Sequence, residues 1–145
     1  MSCELCTSEG GELLWRDARC RVVVVDEAGY PGYCRVIWQT HAAEMSELDS
    51  EERFHLMRVV FEVEAGLREW LQPDKINLAS LGNLVPHLHW HVIPRFRDDP
   101  HFPNPIWGAR LRQLAPRSTD LAAVKQGLAA RLAGLAASQV AGHKT

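Results

Sequence analysis

Long apolar runs are missing from this sequence. The longest uninterrupted aliphatic stretch is Val22 to Val25, against the ~20 residues a helix needs to span a bilayer. No membrane-spanning segment is expected. The first residues, Met1-Ser2-Cys3-Glu4-Leu5-Cys6, have neither a basic start nor an apolar stretch, so the reading is a cytoplasmic protein without a signal peptide. A basic surplus is missing too, since 16 Lys and Arg face 18 Asp and Glu for a formal charge of −2. Binding to a nucleic-acid backbone needs a strong positive excess, so no nucleic-acid partner is expected. No internal repeat stands out, and 145 residues leave no room for a second folded unit. Residues 1–145 therefore read as one domain.

What is present suits a soluble globular protein, with 46% apolar and 23% charged residues, enough to build a core without disulfides. Of the four cysteines, Cys20 precedes an apolar run and Cys34 begins one, so both read as small buried hydrophobes. Cys3 and Cys6 form a Cys-x-x-Cys pair, which in a reducing compartment suggests a metal site or, less often, a redox motif. The redox form needs a strand-to-helix junction, and Cys3 lies too near the chain start for that.

Strands are predicted at Leu13 to Arg16 and Cys20 to Val25, joined by a hairpin at Asp17-Ala18-Arg19. A turn with Gly29, Pro31 and Gly32 follows, then a strand from Cys34 to Trp38. Leu56, Val60, Val63, Leu67 and Trp70 or Leu71 recur at helical spacing, so Glu51 to Leu71 reads as a helix, capped by Asp49 or Ser50 and stopped before Pro73. Lys75 to Leu81 and His87 to Ile93 read as two further strands, with Gly82-Asn83 turning between them. A Pro-rich loop over 98–107 comes next, held down by Phe102, Ile106 and Trp107. A last helix spans about 119–140 on a stripe of Leu121, Val124, Leu128, Leu132 and Leu135, with a fraying tail from Gly142. Strands grouped around a central helix indicate an α+β fold with a mainly antiparallel, five-stranded sheet.

The chemistry concentrates in Pro86-His87-Leu88-His89-Trp90-His91-Val92-Ile93-Pro94. Alternate side chains of a strand share a face, so His87, His89 and His91 lie on one side and Leu88, Trp90 and Val92 on the other. Pro86 and Pro94 are expected to bracket the segment. The isolated His55, His101 and His143 read as surface or loop residues. Two chemistries suit the row, a metal held by alternate histidines or an imidazole nucleophile attacking phosphorus. Spacing alone does not separate them.

His87 to Ile93 resembles the His-φ-His-φ-His-φ-φ signature (φ apolar) of the histidine triad family of nucleotide hydrolases and transferases. The resemblance continues through Pro94-Arg95 and back to Gly82-Asn83, which is similar to the family's Gly-Gln. Gly32 to His41 resembles its Gly-His-x-Leu-Val-Ile-Pro-Lys-x-His segment, so about residues 3–97 are covered. This sequence departs from that pattern at Tyr33, where His is usual, at Trp38-Gln39-Thr40, which lacks Pro-Lys, and at Leu84, where many members have Ser or Thr.

The resemblance implies that His89 is the nucleophile, forming a nucleotidyl-histidine that water hydrolyses. It implies that His91 contacts phosphate and helps protonate the leaving group, and that Asn83 lies near phosphate. Asn77 is a second candidate polar contact, and Arg95 a source of positive charge at the strand end. Cys3, Cys6, His41 and His87 match the ligands of a structural zinc; no organic cofactor is expected. The implied activity is that of a diadenosine polyphosphate hydrolase-like enzyme, acting on dinucleoside polyphosphates or nucleoside phosphoramidates, and the implied assembly is a homodimer. The departures motivate a different class, a nucleotide-binding regulatory module with little turnover. A third reading is a metalloenzyme using the histidine row as its metal site.

Overall fold

The hairpin read at Asp17-Ala18-Arg19 forms because Asp17 can cap its own turn. Its Oδ1 accepts from the backbone N–H of Arg19 and of Cys20, each at 2.8 Å. Strand β1 (Glu12–Arg16) thereby pairs antiparallel with β2 (Cys20–Val24). Strands β3 (Cys34–Trp38), β4 (Lys75–Ala79) and β5 (His89–Arg95) complete a five-stranded sheet of order β1-β2-β3-β5-β4, antiparallel at every pairing. The computed structural model describes residues 2–141, so the expected fraying from Gly142 lies outside the described residues. Among the described residues there are three α-helices: α1 (Glu4–Thr7), a short turn that sequence periodicity does not reveal, α2 (Ser50–Leu71) and α3 (Leu121–Ala141). Among the described residues, no helix is long and apolar enough to cross a membrane.

Helix α2 starts where Asp49 and Glu52 cap one another's backbone N–H groups, at 2.9 Å each. It ends at Gln72 in the left-handed conformation, with Pro73 next. Its face of Leu56, Val60, Val63 and Leu67 is fully buried against the sheet, joined by Val124, Leu128, Leu132 and Leu135 of α3. The core therefore continues well past residue 97, and each such Leu or Val contributes roughly 1.5–3 kcal/mol by leaving water. Trp70, a candidate for that face, is instead 47% exposed.

His55 departs from expectation. It is buried on α2, with Nε2 2.6 Å from the second oxygen of Asp17, and so pins the helix to the hairpin. Cys20 and Cys34 are fully buried, as their surroundings implied.

Strand β5 also differs in its limits. It begins at His89, two residues later than read, and runs to Arg95, so Pro94 lies inside it opposite Ile76 rather than beyond its end. The proline is tolerated where β5 has outrun its β3 partner, the last β3 pairing being Cys34 with Val92. His87 sits just before the strand. Leu88, Trp90 and Val92 face the helices, while the odd-numbered side chains face the opposite side of the sheet. Among the described residues, α2 and α3 both pack on the other side.

Candidate active site and metal centre

The sheet face opposite α2 and α3 is closed at one end by the N-terminal segment. Arg21 on β2 is 2% exposed, and its guanidinium donates to the carbonyls of Leu5 (2.7 Å), Ser8 (3.1 Å) and Glu9 (3.1 Å) and to Gln39 Oε1 (2.9 Å). A single buried cation thus ties residues 5–9 down against the sheet, where Cys3 at the N-cap of α1 and Cys6 within it are presented. Cys3, Cys6, His41 and His87 converge there, all four donor atoms lying within 4.8 Å of one another. His87 Nδ1 is 3.4 Å from both sulfurs, and His41 Nδ1 is 3.5 Å from Cys6 Sγ.

The donor set fits zinc. Metal–ligand lengths of ~2.3 Å to sulfur and ~2.05 Å to nitrogen give a tetrahedral S···N edge of about 3.5 Å. The protonation pattern fits as well. His87 Nε2 lies 2.6 Å from the Trp38 carbonyl, an acceptor only, so it carries the proton and Nδ1 turns its lone pair toward the sulfurs. Desolvation, then the Cys3 sulfur alongside, raises the Cys6 pKa. Two thiolates side by side want a cation between them.

The other end of the face is closed by the segment after β5. Arg95 and Asp99 are both buried, with Arg95 Nε and Nη2 on the carboxylate at 2.7 and 3.1 Å. Arg95 also donates to Asn77 Oδ1 and the Asn104 carbonyl, each at 2.7 Å. Burial acts to raise the Asp99 pKa, but the Arg95 hydrogen bond, those from the His101 and Phe102 N–H groups, and the Arg95 charge bring it down to about 2. Asn77, read from sequence as a candidate polar contact, and Arg95, read as a source of positive charge, are brought together as a lock that holds the loop. For Arg95 that is a correction, and its cause is Asp99, which consumes the guanidinium. Replacing Arg95 by Leu leaves a buried carboxylate unpaired, so a loss of ~3–5 kcal/mol in unfolding free energy is expected in denaturant titration.

Between these two closures lie His89 and His91. His89 Nδ1 is 2.6 Å from the His87 carbonyl. A carbonyl only accepts, so Nδ1 is the protonated nitrogen and Nε2 keeps its lone pair. Burial lowers the His89 pKa, against the effect of that carbonyl and with help from Arg35. The next imidazole, His91, stands edge-on at 4.8 Å between ring centres, and Trp107 closes over its other side at 5.0 Å. Burial, then His89 and Arg35, lower the His91 pKa to about 4, so it is neutral near pH 7. Its Nδ1 lies 2.6 Å from Tyr33 Oη. Asn83 is exposed on the turn that leads into the row, beside Leu84, which is 96% exposed.

The row is therefore divided. His87 belongs to the sulfur cluster, whereas His89 and His91 join no group of three ligands among the described residues. Arg21 and Arg35 went unremarked in the sequence. Their signal was present: each is a charged residue in an otherwise apolar strand, on the face away from the helices.

Known proteins share this fold. No curated protein matches the chain. Among solved structures, a histidine triad protein from Bradyrhizobium japonicum is 30% identical over 90% of this chain and 96% of that one, with a TM-score of 0.74. One from Marinobacter aquaeolei is 28% identical over 93% and 97%, with a TM-score of 0.73. A Zn-bound histidine triad family protein from Mycobacterium smegmatis, 24% identical over 95% and 98%, shares the fold at a TM-score of 0.64. Residues 9–98 match the HIT domain model, and with them the chain belongs to the HIT domain family, generally nucleotide hydrolases and transferases.

Proposed function

We propose that this protein is a nucleotide hydrolase or nucleotidyl transferase in which His89 Nε2 attacks an α-phosphorus, on a dinucleoside polyphosphate or a nucleoside phosphoramidate. The observation that carries the reading is the 2.6 Å contact from His89 Nδ1 to the His87 carbonyl, which leaves Nε2 unprotonated. The N–P bond forms as the bond to the leaving group breaks, and water then releases the nucleotide. His91 lies beside the leaving group, and Asn83 borders the phosphate from the turn.

Cys3, Cys6, His41 and His87 hold a structural zinc in this reading. Four protein ligands close the coordination sphere, so the metal supplies a fixed framework rather than an activated water. We read the chain as one cytoplasmic domain that pairs into a two-fold dimer, with edge strand β4 and the exposed Phe54 and Phe61 of α2 as the surfaces available to it.

The direct test is a rapid acid or base quench during turnover of diadenosine polyphosphate or adenosine phosphoramidate, followed by peptide mass measurement. An added nucleoside monophosphate on the peptide containing His89 is expected. Turnover with no adduct on that peptide at any quench time, or an adduct elsewhere, overturns the reading.

A further inference from the structure

We propose that Tyr33, backed by Arg35, is a positioning residue that holds His91 in the tautomer with its proton on Nε2 and relays a proton through it to the leaving group. The inference rests on the proposed function and adds a residue and a preference among substrates. Its geometry comes from the β3–β5 pairing. Arg35 lies directly opposite His91, and Tyr33, two residues earlier, shares its face. Gly32 makes the turn into β3 with φ of 81°, so close to Leu71 that a Cβ there would stand 2.5 Å from its side chain. That turn presents the Tyr33 ring to His91, the ring centres 5.8 Å apart and tilted by 35°. Both residues are almost completely buried, at 3% and 6% exposed, so water does not compete for their hydrogen bond.

The direction of that hydrogen bond follows from Arg35. A guanidinium is always charged. The Arg35 guanidinium carbon stands 5.8 Å from the Tyr33 ring centre, and its Nε is buried without a partner. That cation beside the ring favours negative charge on the phenolic oxygen, so Tyr33 turns its proton to His91 Nδ1. The His91 proton must then sit on Nε2. The two neighbouring imidazoles are thus set in opposite tautomers by different partners: His89 with a lone pair on Nε2, His91 with a hydrogen there. One is ready to attack and its neighbour to protonate. Burial raises the Tyr33 pKa, which keeps the phenol protonated at rest, while the Arg35 charge opposes that rise and favours the phenolate when it forms.

The step balances. The His89 Nε2 lone pair forms the bond to phosphorus, and the electron pair of the breaking bond goes to the leaving atom. That atom takes the proton from His91 Nε2, His91 Nδ1 takes the Tyr33 proton, and the phenolate faces Arg35. When water attacks, the N–P pair returns to His89. The water proton passes to His91 Nε2, and Nδ1 returns its proton to Tyr33. No group is consumed besides water.

A relay of this kind matters in proportion to the basicity of the leaving atom. An amine leaves poorly without a proton, while nitrophenolate leaves as a stable anion. The test compares adenosine 5′-(N-alkyl phosphoramidate) with adenosine 5′-(4-nitrophenyl phosphate), using wild type and Tyr33→Phe. Proton transfer contributes ~10²–10⁴-fold, so the variant is expected to lose at least about 100-fold in kcat on the amine substrate, with at least a tenfold smaller loss on the nitrophenyl ester. Equal losses on both, or none, overturn the relay. Nitrogen-15 shifts of His91 in the unsubstituted protein provide a readout that needs neither folding of a variant nor turnover. A protonated Nε2 supports the proposal, and a protonated Nδ1 overturns it. A wild type inactive on both substrates overturns the proposed function, and the tautomer then still decides the placement of the proton.

Discussion

A His89→Asn variant is expected to release nucleoside monophosphate at least about 10³-fold more slowly than wild type, with KM almost unchanged. The size of the effect follows from the role. Asn has no lone pair able to form the bond to phosphorus, so the covalent route closes and only binding and polarisation by the remaining groups persist. A 10³-fold loss corresponds to about 4 kcal/mol of barrier, well above the ~1 kcal/mol of an ordinary hydrogen bond. Asn also keeps a donor for the His87 carbonyl, so the fold should survive, and a thermal unfolding midpoint within a few degrees of wild type checks this. Initial rates on a diadenosine polyphosphate decide the matter. A variant within tenfold of wild type places the nucleophile elsewhere.

The second large effect concerns the metal. The Cys3→Ser, Cys6→Ser double variant is expected to purify without zinc, and wild type with one zinc per chain by elemental analysis. A ligand held at 1,000 times its dissociation constant adds ~4 kcal/mol to stability, and for a domain of this size that moves the midpoint by about 10 °C. Wild type treated with chelator and the untreated double variant should therefore unfold at similar temperatures, both about 10 °C below the zinc-loaded protein. The loss should begin at the N-terminal segment, because Arg21 is the other strong anchor for residues 5–9. Absence of metal from wild type, or a midpoint indifferent to chelator, removes the structural zinc.

How much of this was legible beforehand depends on how local each signal is. The alternation from His87 to Val92 records the two faces of one strand, so the side on which His89 and His91 lie could be read from six residues. The apolar stripes of α2 and α3 are local in the same way, and both helices appear close to their expected limits. The partners of those faces are not local. That Tyr33 meets His91 and Arg35 stands opposite it depends on the register between strands more than 50 residues apart, which no periodicity encodes. Arg95 was misplaced for a related reason. Its acceptor, Asp99, lies only four residues on, but across an irregular turn where spacing predicts no geometry. His55 was misplaced because a lone histidine on a helix looks solvated until Asp17, 38 residues earlier, is seen to meet it. Four-residue α1 is too short to show a period, although the Cys3 and Cys6 pair at its start signalled the cluster.

The even and odd positions of β5 serve separate masters. Trp90 and Val92 are answerable to the packing of two helices, while His89 and His91 are not members of that core. Substitutions at His89 and His91 can therefore leave the helix packing intact, and those on the packed side can leave the reaction unchanged. Such a strand lets a lineage trade one substrate for another in single steps, each intermediate remaining folded.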